Sequence, residues 1–134
     1  MKNVVIIFII AILGFSCKDE EKPGCIELNE AMLPPELHLL LPDSVKQYEK
    51  VYLIDTIDYW CEYKFQDYKL IENNSTTATI SVINCVLDGI YIDGCTKKQY
   101  FSGFIRFKSK GEFDLYTFNN TIKENIFIKK IRVY

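Results

Sequence analysis

The sequence predicts a mainly β protein, a small antiparallel barrel or sandwich stabilised by disulfides and entered through a short irregular or helical strap. Three observations carry that expectation. From Val51 onward, short runs of β-branched and aromatic residues alternate with polar ones at period two, as a half-buried strand requires. Clusters of Asn, Asp, Gly and Ser separate those runs. Four cysteines, Cys25, Cys61, Cys85 and Cys95, make an even set in a chain whose start reads as an export signal.

That start is the first element in order. Lys2 supplies a positive n-region, and Val4 to Phe15 form an apolar run of signal-peptide length, too short to span a bilayer. The run ends in Leu13, Gly14, Phe15, Ser16 and Cys17. Small residues before a cysteine resemble a bacterial lipobox, and the resemblance implies removal of residues 1–16 and lipidation of Cys17. Next come Lys18, Asp19, Glu20 and Glu21. This run is similar to the export signal of surface lipoproteins of the Bacteroidetes type, so Lys18, Asp19 and Glu20 are expected to send the protein to the outer face of the outer membrane. Two or more acyl chains hold a protein on a membrane essentially permanently. Residues 17–24, with Pro23 and Gly24, then read as a lipidated tether.

Residues 25–134 suit a single β-rich domain. Its four cysteines admit three pairings. We favour Cys85 with Cys95, because nine intervening residues containing Asp88-Gly89 and Asp93-Gly94 can fold them together, leaving Cys25 for Cys61. No Cys-x-x-Cys pair exists and His38 is the only histidine, so neither metal nor cofactor is expected.

The strap runs from Ile26 to Lys50. Pro34, Pro35 and Pro42 forbid one continuous helix, but Pro34 and Pro35 can open a short one through Leu41. Asp43 or Ser44 is a competent cap for a second helical turn. Beyond it, Tyr59 to Phe65, Ala78 to Val82, Phe101 to Phe107 and Phe113 to Leu115 each alternate. Ile126 to Tyr134 breaks alternation at Lys129 and Lys130, which predicts a bulge or a lysine-protected edge. About seven strands are expected here, with turns at Asn73 to Ser75, Asp88-Gly89, Asp93-Gly94, Lys110-Gly111 and Asn119-Asn120. Nine Tyr, nine Phe and Trp60 are assigned to core and cross-strand packing in preference to a carbohydrate-stacking platform.

Charge is divided along the chain. Residues 17–95 hold six Lys or Arg against fifteen Asp or Glu, and residues 96–134 hold nine against three. Cross-strand pairing is the expected consequence. The alternative is a basic face of Arg106, Lys108, Lys110, Lys129 and Arg132 that meets an anionic glycan or an acidic cleft. The net negative balance of the exported part disfavours nucleic acid.

Catalysis finds little support. There is no nucleophile elbow, glycine-rich phosphate loop or metalloprotease helix, and a serine triad would depend on His38. Glu62, Asp88 and Asp93 could supply paired carboxylates for a glycan-processing enzyme, yet Asp88 and Asp93 each precede glycine and are explained as turn formers.

Tyr59-Trp60-Cys61-Glu62, with Tyr100, Gly103, Phe107, Ser109, Lys110, Gly111 and Glu112, resembles the Tyr-x-Cys, Tyr-x-x-Gly and Ser-Lys-Gly motifs of the membrane-bound inhibitors of c-type lysozyme. These are small β-barrel lipoproteins, and the resemblance implies that Tyr100 and Lys110 belong to a partner-binding loop. Thr96 and Lys97 stand where the family has Ser-Gly, and its C-terminal cysteine is missing. Asp43-Ser44-Val45 and Asp55-Thr56-Ile57 are similar to the O-glycosylation sites of exported Bacteroidetes proteins, implying modification of Ser44 and Thr56. The expectation is therefore a lipid-anchored envelope protein that binds a protein or glycan and performs no catalysis, with lysozyme inhibition as the leading alternative.

Overall fold

The computed structural model describes residues 24–89 and 93–134. The leader, Cys17, Lys18, Asp19, Glu20 and all of the tether but Gly24 lie outside the described residues. Eight strands and one short helix follow: β1 (Cys25–Met32), α1 (Pro35–His38), β2 (Ser44–Val45), β3 (Val51–Trp60), β4 (Tyr63–Glu72), β5 (Thr77–Leu87), β6 (Thr96–Ile105), β7 (Gly111–Asn119) and β8 (Glu124–Val133). The mainly β expectation holds. Six strands form one sheet and β3 with β6 form a second, and neither closes into a barrel.

β5 organises the larger sheet. β4 pairs antiparallel along one edge, while β1 takes Ser81 to Leu87 and β7 takes Thr77 to Thr79 on the other. The sheet continues through β8 to β2. It is not wholly antiparallel, because β5–β7 and β2–β8 run parallel. The first of these follows from β6, which crosses to the second sheet so that the chain re-enters the first in its original direction.

Between the sheets lies one apolar core. Leu53 and Ile57 of β3 and Phe101 and Ile105 of β6 join Ala78, Ile80 and Val82 of β5, Phe113 and Leu115 of β7, and Ile131 and Val133 of β8. Leu33, Leu37, Leu41 and Val45 of the strap complete it. Phe101 packs against Phe65 at 4.6 Å and edge-on to Tyr59 at 5.1 Å. Phe107, beyond the end of β6, is fully buried against Phe113 at 5.4 Å.

The strap departs from expectation at both ends. Cys25 to Met32 is a strand, although its mostly exposed residues show no alternation. Its pairing with β5 is made by the backbone and needs no buried face. Pro34 and Pro35 do open a helix, which stops at His38. The second helical turn expected at Asp43 or Ser44 is instead the two-residue strand β2 beside β8. The alternating run Tyr59 to Phe65 is likewise two strands, with Cys61 and Glu62 forming the corner where the chain passes between sheets. A bulge does interrupt β8, where Leu115 faces Lys129 and Tyr116 faces Phe127, leaving Ile128 extra.

The favoured disulfide pairing is corrected. Cys25 bonds Cys85, with Cα atoms 5.2 Å apart, and Cys61 bonds Cys95 at 5.5 Å. All four cysteines are paired, but tertiary contact chooses the partners. Cys25 and Cys85 sit on neighbouring strands, where Leu28 is the residue opposite Cys85, and the Cys61 N–H donates to Cys95 O at 3.1 Å.

Candidate functional site

Strand register fixes two ends of the sandwich. Trp60 pairs with Thr96 and Val51 with Ile105, so the second sheet runs lengthwise between them. Cys25 opposite Leu87 and Tyr63 opposite Val86 lie at the Trp60 end. Residues 46–50, 73–76 and 106–110 therefore gather at the other end, about 30 Å away at a strand's rise of ~3.3 Å per residue.

That far end is cationic by construction. The Tyr48 N–H donates to Phe107 O at 2.9 Å and Gln47 Nε2 donates to Lys108 O at 2.6 Å, pinning the two loops together. Gln47 N–H also donates to Tyr134 O at 2.9 Å. Lys46, Lys50, Arg106, Lys108 and Lys110, all exposed, are thereby brought to one end of the sandwich. The local carboxylates are already engaged: Glu49 accepts from the Lys46 N–H at 3.0 Å, and Glu72 accepts from the backbone N–H groups of Lys108 and Ser109. Partial burial pushes the Glu72 carboxyl up, but hydrogen bonds from the Ser109 side chain and from those two N–H groups, with the Lys108 charge, outweigh it and hold the group below its ordinary value. The loop is thus tied down by an ionised carboxylate.

The expected basic face is only half realised. Arg106, Lys108 and Lys110 belong to this end, whereas Lys129 pairs with Asp43 at 2.6 Å and Arg132 with Glu112 at 2.8 Å. Lys130–Asp114 and Lys98–Asp58 are further pairs between strand partners, as charge complementarity across a ladder predicts. Lys46 and Lys50 take the vacated places. Nothing local in the sequence marks them, since they join the patch only through the long-range contacts of Gln47 and Tyr48.

Tyr100 and Lys110 are placed apart. Tyr100 stands 64% exposed midway along β6, opposite Thr56, and Lys110 lies exposed in the turn before β7. Ser44 and Thr56 are both exposed, and the Thr56 N–H is held by Asp55 Oδ1 at 2.7 Å. Glu62 and Asp88 line one shallow depression at the Cys25 end, which Asp93 does not join. His38 Nε2 lies 3.1 Å from Leu33 O, a contact that reaches back to the residues just ahead of its helix. Among the described residues no three His, Cys, Asp or Glu side chains are grouped to hold a metal ion.

Aromatic residues are less confined to the core than their number suggests. The outer face of the β3–β6 ribbon exposes Tyr52, Ile54, Trp60, Tyr100 and Phe104, with Lys50 Nζ 4.4 Å from the Phe104 ring centroid. A two-stranded sheet has one face for the core, and whatever alternates with the core residues must face outward.

Comparison of the chain with protein-family profiles, with curated proteins and with solved structures found no match.

Proposed function

We propose that the protein is a lipid-anchored binding module of the cell envelope, outward-facing, that meets an anionic partner through its cationic end and carries out no catalysis of its own. The observation that supports this reading is the pinning of residues 46–50 onto 106–110, which brings five exposed cationic residues to one end of the sandwich. Anchorage agrees with it. Cys17 precedes Cys25 by only eight residues, and Cys25 is bonded to β5 at the opposite end of the sandwich. A lipid on Cys17 would hold that end near the membrane and present the cationic loops away from it.

A second reading, inhibition of a c-type lysozyme, is favoured by the exposure of Lys110 in this patch, where its ammonium can enter an acidic cleft. The test serves both. Full-length protein in mild detergent is applied to an immobilised sulfated polysaccharide across a salt series, and is mixed with a c-type lysozyme acting on cell walls. Retention should fall with salt and drop at least about tenfold in the K108E/K110E variant. Retention that ignores both would sink the anionic-partner reading. Lysozyme inhibition that Lys110→Ala weakens about tenfold, roughly 1.4 kcal/mol, would identify the partner as the enzyme. Degradation of the walls by the protein alone would instead return attention to Glu62 and Asp88.

A further inference from the structure

At the mouth of the sandwich opposite the cationic loops, a cleft of about 450 Å³ opens between β1, α1, the end of β3 and the β7–β8 turn. Its size is within the range of small-ligand sites. Tyr59, Trp60 and Tyr63 line it together with Asn29, Asn119 and Asn120; Asn119 Oδ1 already accepts from the Thr121 N–H and Asn120 Nδ2 donates to Glu30 O. Glu30, Glu36 and Asp58 are the acidic residues of the lining, and no Lys, Arg or His is among them.

Behind Tyr59 and Asn29, two of the lining residues, lies a buried polar group with an unfilled valence. Asn84, fully buried on β5, lies in register beside Asn29 and donates through Nδ2 to the Tyr59 hydroxyl at 2.8 Å. Its Oδ1 is buried and has no hydrogen-bond partner among the described residues. Because the Tyr59 oxygen is the acceptor in that bond, its own proton remains for another acceptor. Buried acceptors without partners are rare and costly, and they gather where a bound molecule or water completes the network.

The carboxylates are unequally committed. Glu30 is held by Lys69 and by Ser81. Asp58 meets only the exposed Lys98, at 3.7 Å, and Glu36 forms no ion pair among the described residues. Two acidic residues of the lining thus have little or no compensating charge, beside aromatic residues whose ring faces attract cations.

We propose that this cleft is a saccharide site for a sugar unit bearing a free amine. The ring's apolar face stacks on Trp60, its hydroxyls meet the amides and the Tyr59 hydroxyl, and its ammonium is drawn to Glu36 and Asp58. Uronic acids and sulfated sugars are repelled by the same carboxylates, so this ligand class is distinct from the anionic partner of the cationic end.

Trp60 is the chain's only tryptophan, so its emission reports the cleft directly. Full-length protein in detergent is titrated with a glucosamine tetramer, the N-acetylglucosamine tetramer, trigalacturonate and tetralysine. The glucosamine tetramer should change the emission saturably and bind at least about fivefold tighter than its N-acetylated form, with no response to trigalacturonate. Glu36→Gln and Asp58→Asn, both at exposed positions that leave the core untouched, should each weaken it about fivefold or more. Absence of saturable change, equal affinity for the N-acetylated tetramer, or indifference to both substitutions would overturn the proposal. Tetralysine binding as tightly as the glucosamine tetramer would overturn it too, by showing a site for basic peptide instead of sugar.

Discussion

Tyr68 of β4 lies so close over Gly103 of β6 that a methyl group on the glycine would come within 2.8 Å of its Cδ2 and 3.1 Å of its Cε2. Beyond the glycine, the Tyr68 hydroxyl donates to Leu53 O at 3.1 Å, and Leu53 is the partner of Gly103 in the β3–β6 ladder. One side chain of the larger sheet therefore clasps both strands of the smaller. Gly103 is needed here for close approach, since its φ is not among the positive ones.

Gly103→Ala should accordingly destabilise the protein by about 1–3 kcal/mol, the usual cost of overpacking against a ring that cannot turn away. Tyr68→Phe keeps the packing and removes one hydrogen bond, for about 1 kcal/mol. Denaturant midpoints would rank them. A Gly103→Ala variant as stable as the parent would show that the sheets are free to part.

The same tyrosine predicts behaviour in alkali. Burial raises its pKa well above the ordinary value, and the Asp55 and Asp67 carboxylates add to the shift. A raised folded-state pKa means that the associated stability is complete below the unfolded value of about 10 and is lost as the pH climbs toward the folded one. Thermal unfolding followed from pH 9 to 11 should fall more steeply for the parent than for Tyr68→Phe. Equal slopes would place the sensitivity elsewhere.

Glu72 predicts the converse in acid. Its pKa is depressed, so what it contributes is present above the unfolded value near 4.3–4.5 and is lost as the pH falls through the lower folded one. Hydrogen exchange at the Lys108 and Ser109 amides, corrected for intrinsic rates, should lose protection in that window. Glu72→Gln should show the weaker protection already at neutral pH, and an unchanged profile would remove the carboxylate from its anchoring role.

Non-reducing peptide mapping should recover Cys25 with Cys85 and Cys61 with Cys95. Their loops span 60 and 34 residues, and the chain-entropy relation assigns about 4 kcal/mol to each. Either amounts to a large fraction of a small domain's stability. Loss of Cys25–Cys85 should also release β1, measurable as proteolysis between Cys25 and Met32 ahead of global unfolding.

Anchorage is tested at the other end of the chain. Cys17→Ala should move the protein from the membrane to the soluble fraction. Replacing Lys18, Asp19 and Glu20 by Ala should leave it in the membrane but inaccessible to protease on intact cells. A Cys17→Ala protein that stays with the membrane would end the lipid-anchor proposal.

What the sequence determined by itself was the local part of the architecture. Alternation at Ala78 to Val82 and Phe113 to Leu115, the turn at Asn73 to Ser75 and the helix opened by Pro34 and Pro35 were legible because each depends on neighbours in the chain. β1 was not, because it is held by backbone pairing with β5 and carries no alternating face to announce it. The corner at Cys61 and Glu62 was hidden within a run whose alternation continues on either side of it. Both disulfides, the division of the basic residues into paired and gathered sets, and the cleft around Trp60 were decided only by tertiary structure. The disulfides join residues 60 and 34 positions apart, the gathered cations and the cleft depend on contacts of greater reach still, and period and propensity carry no information about which distant strands meet.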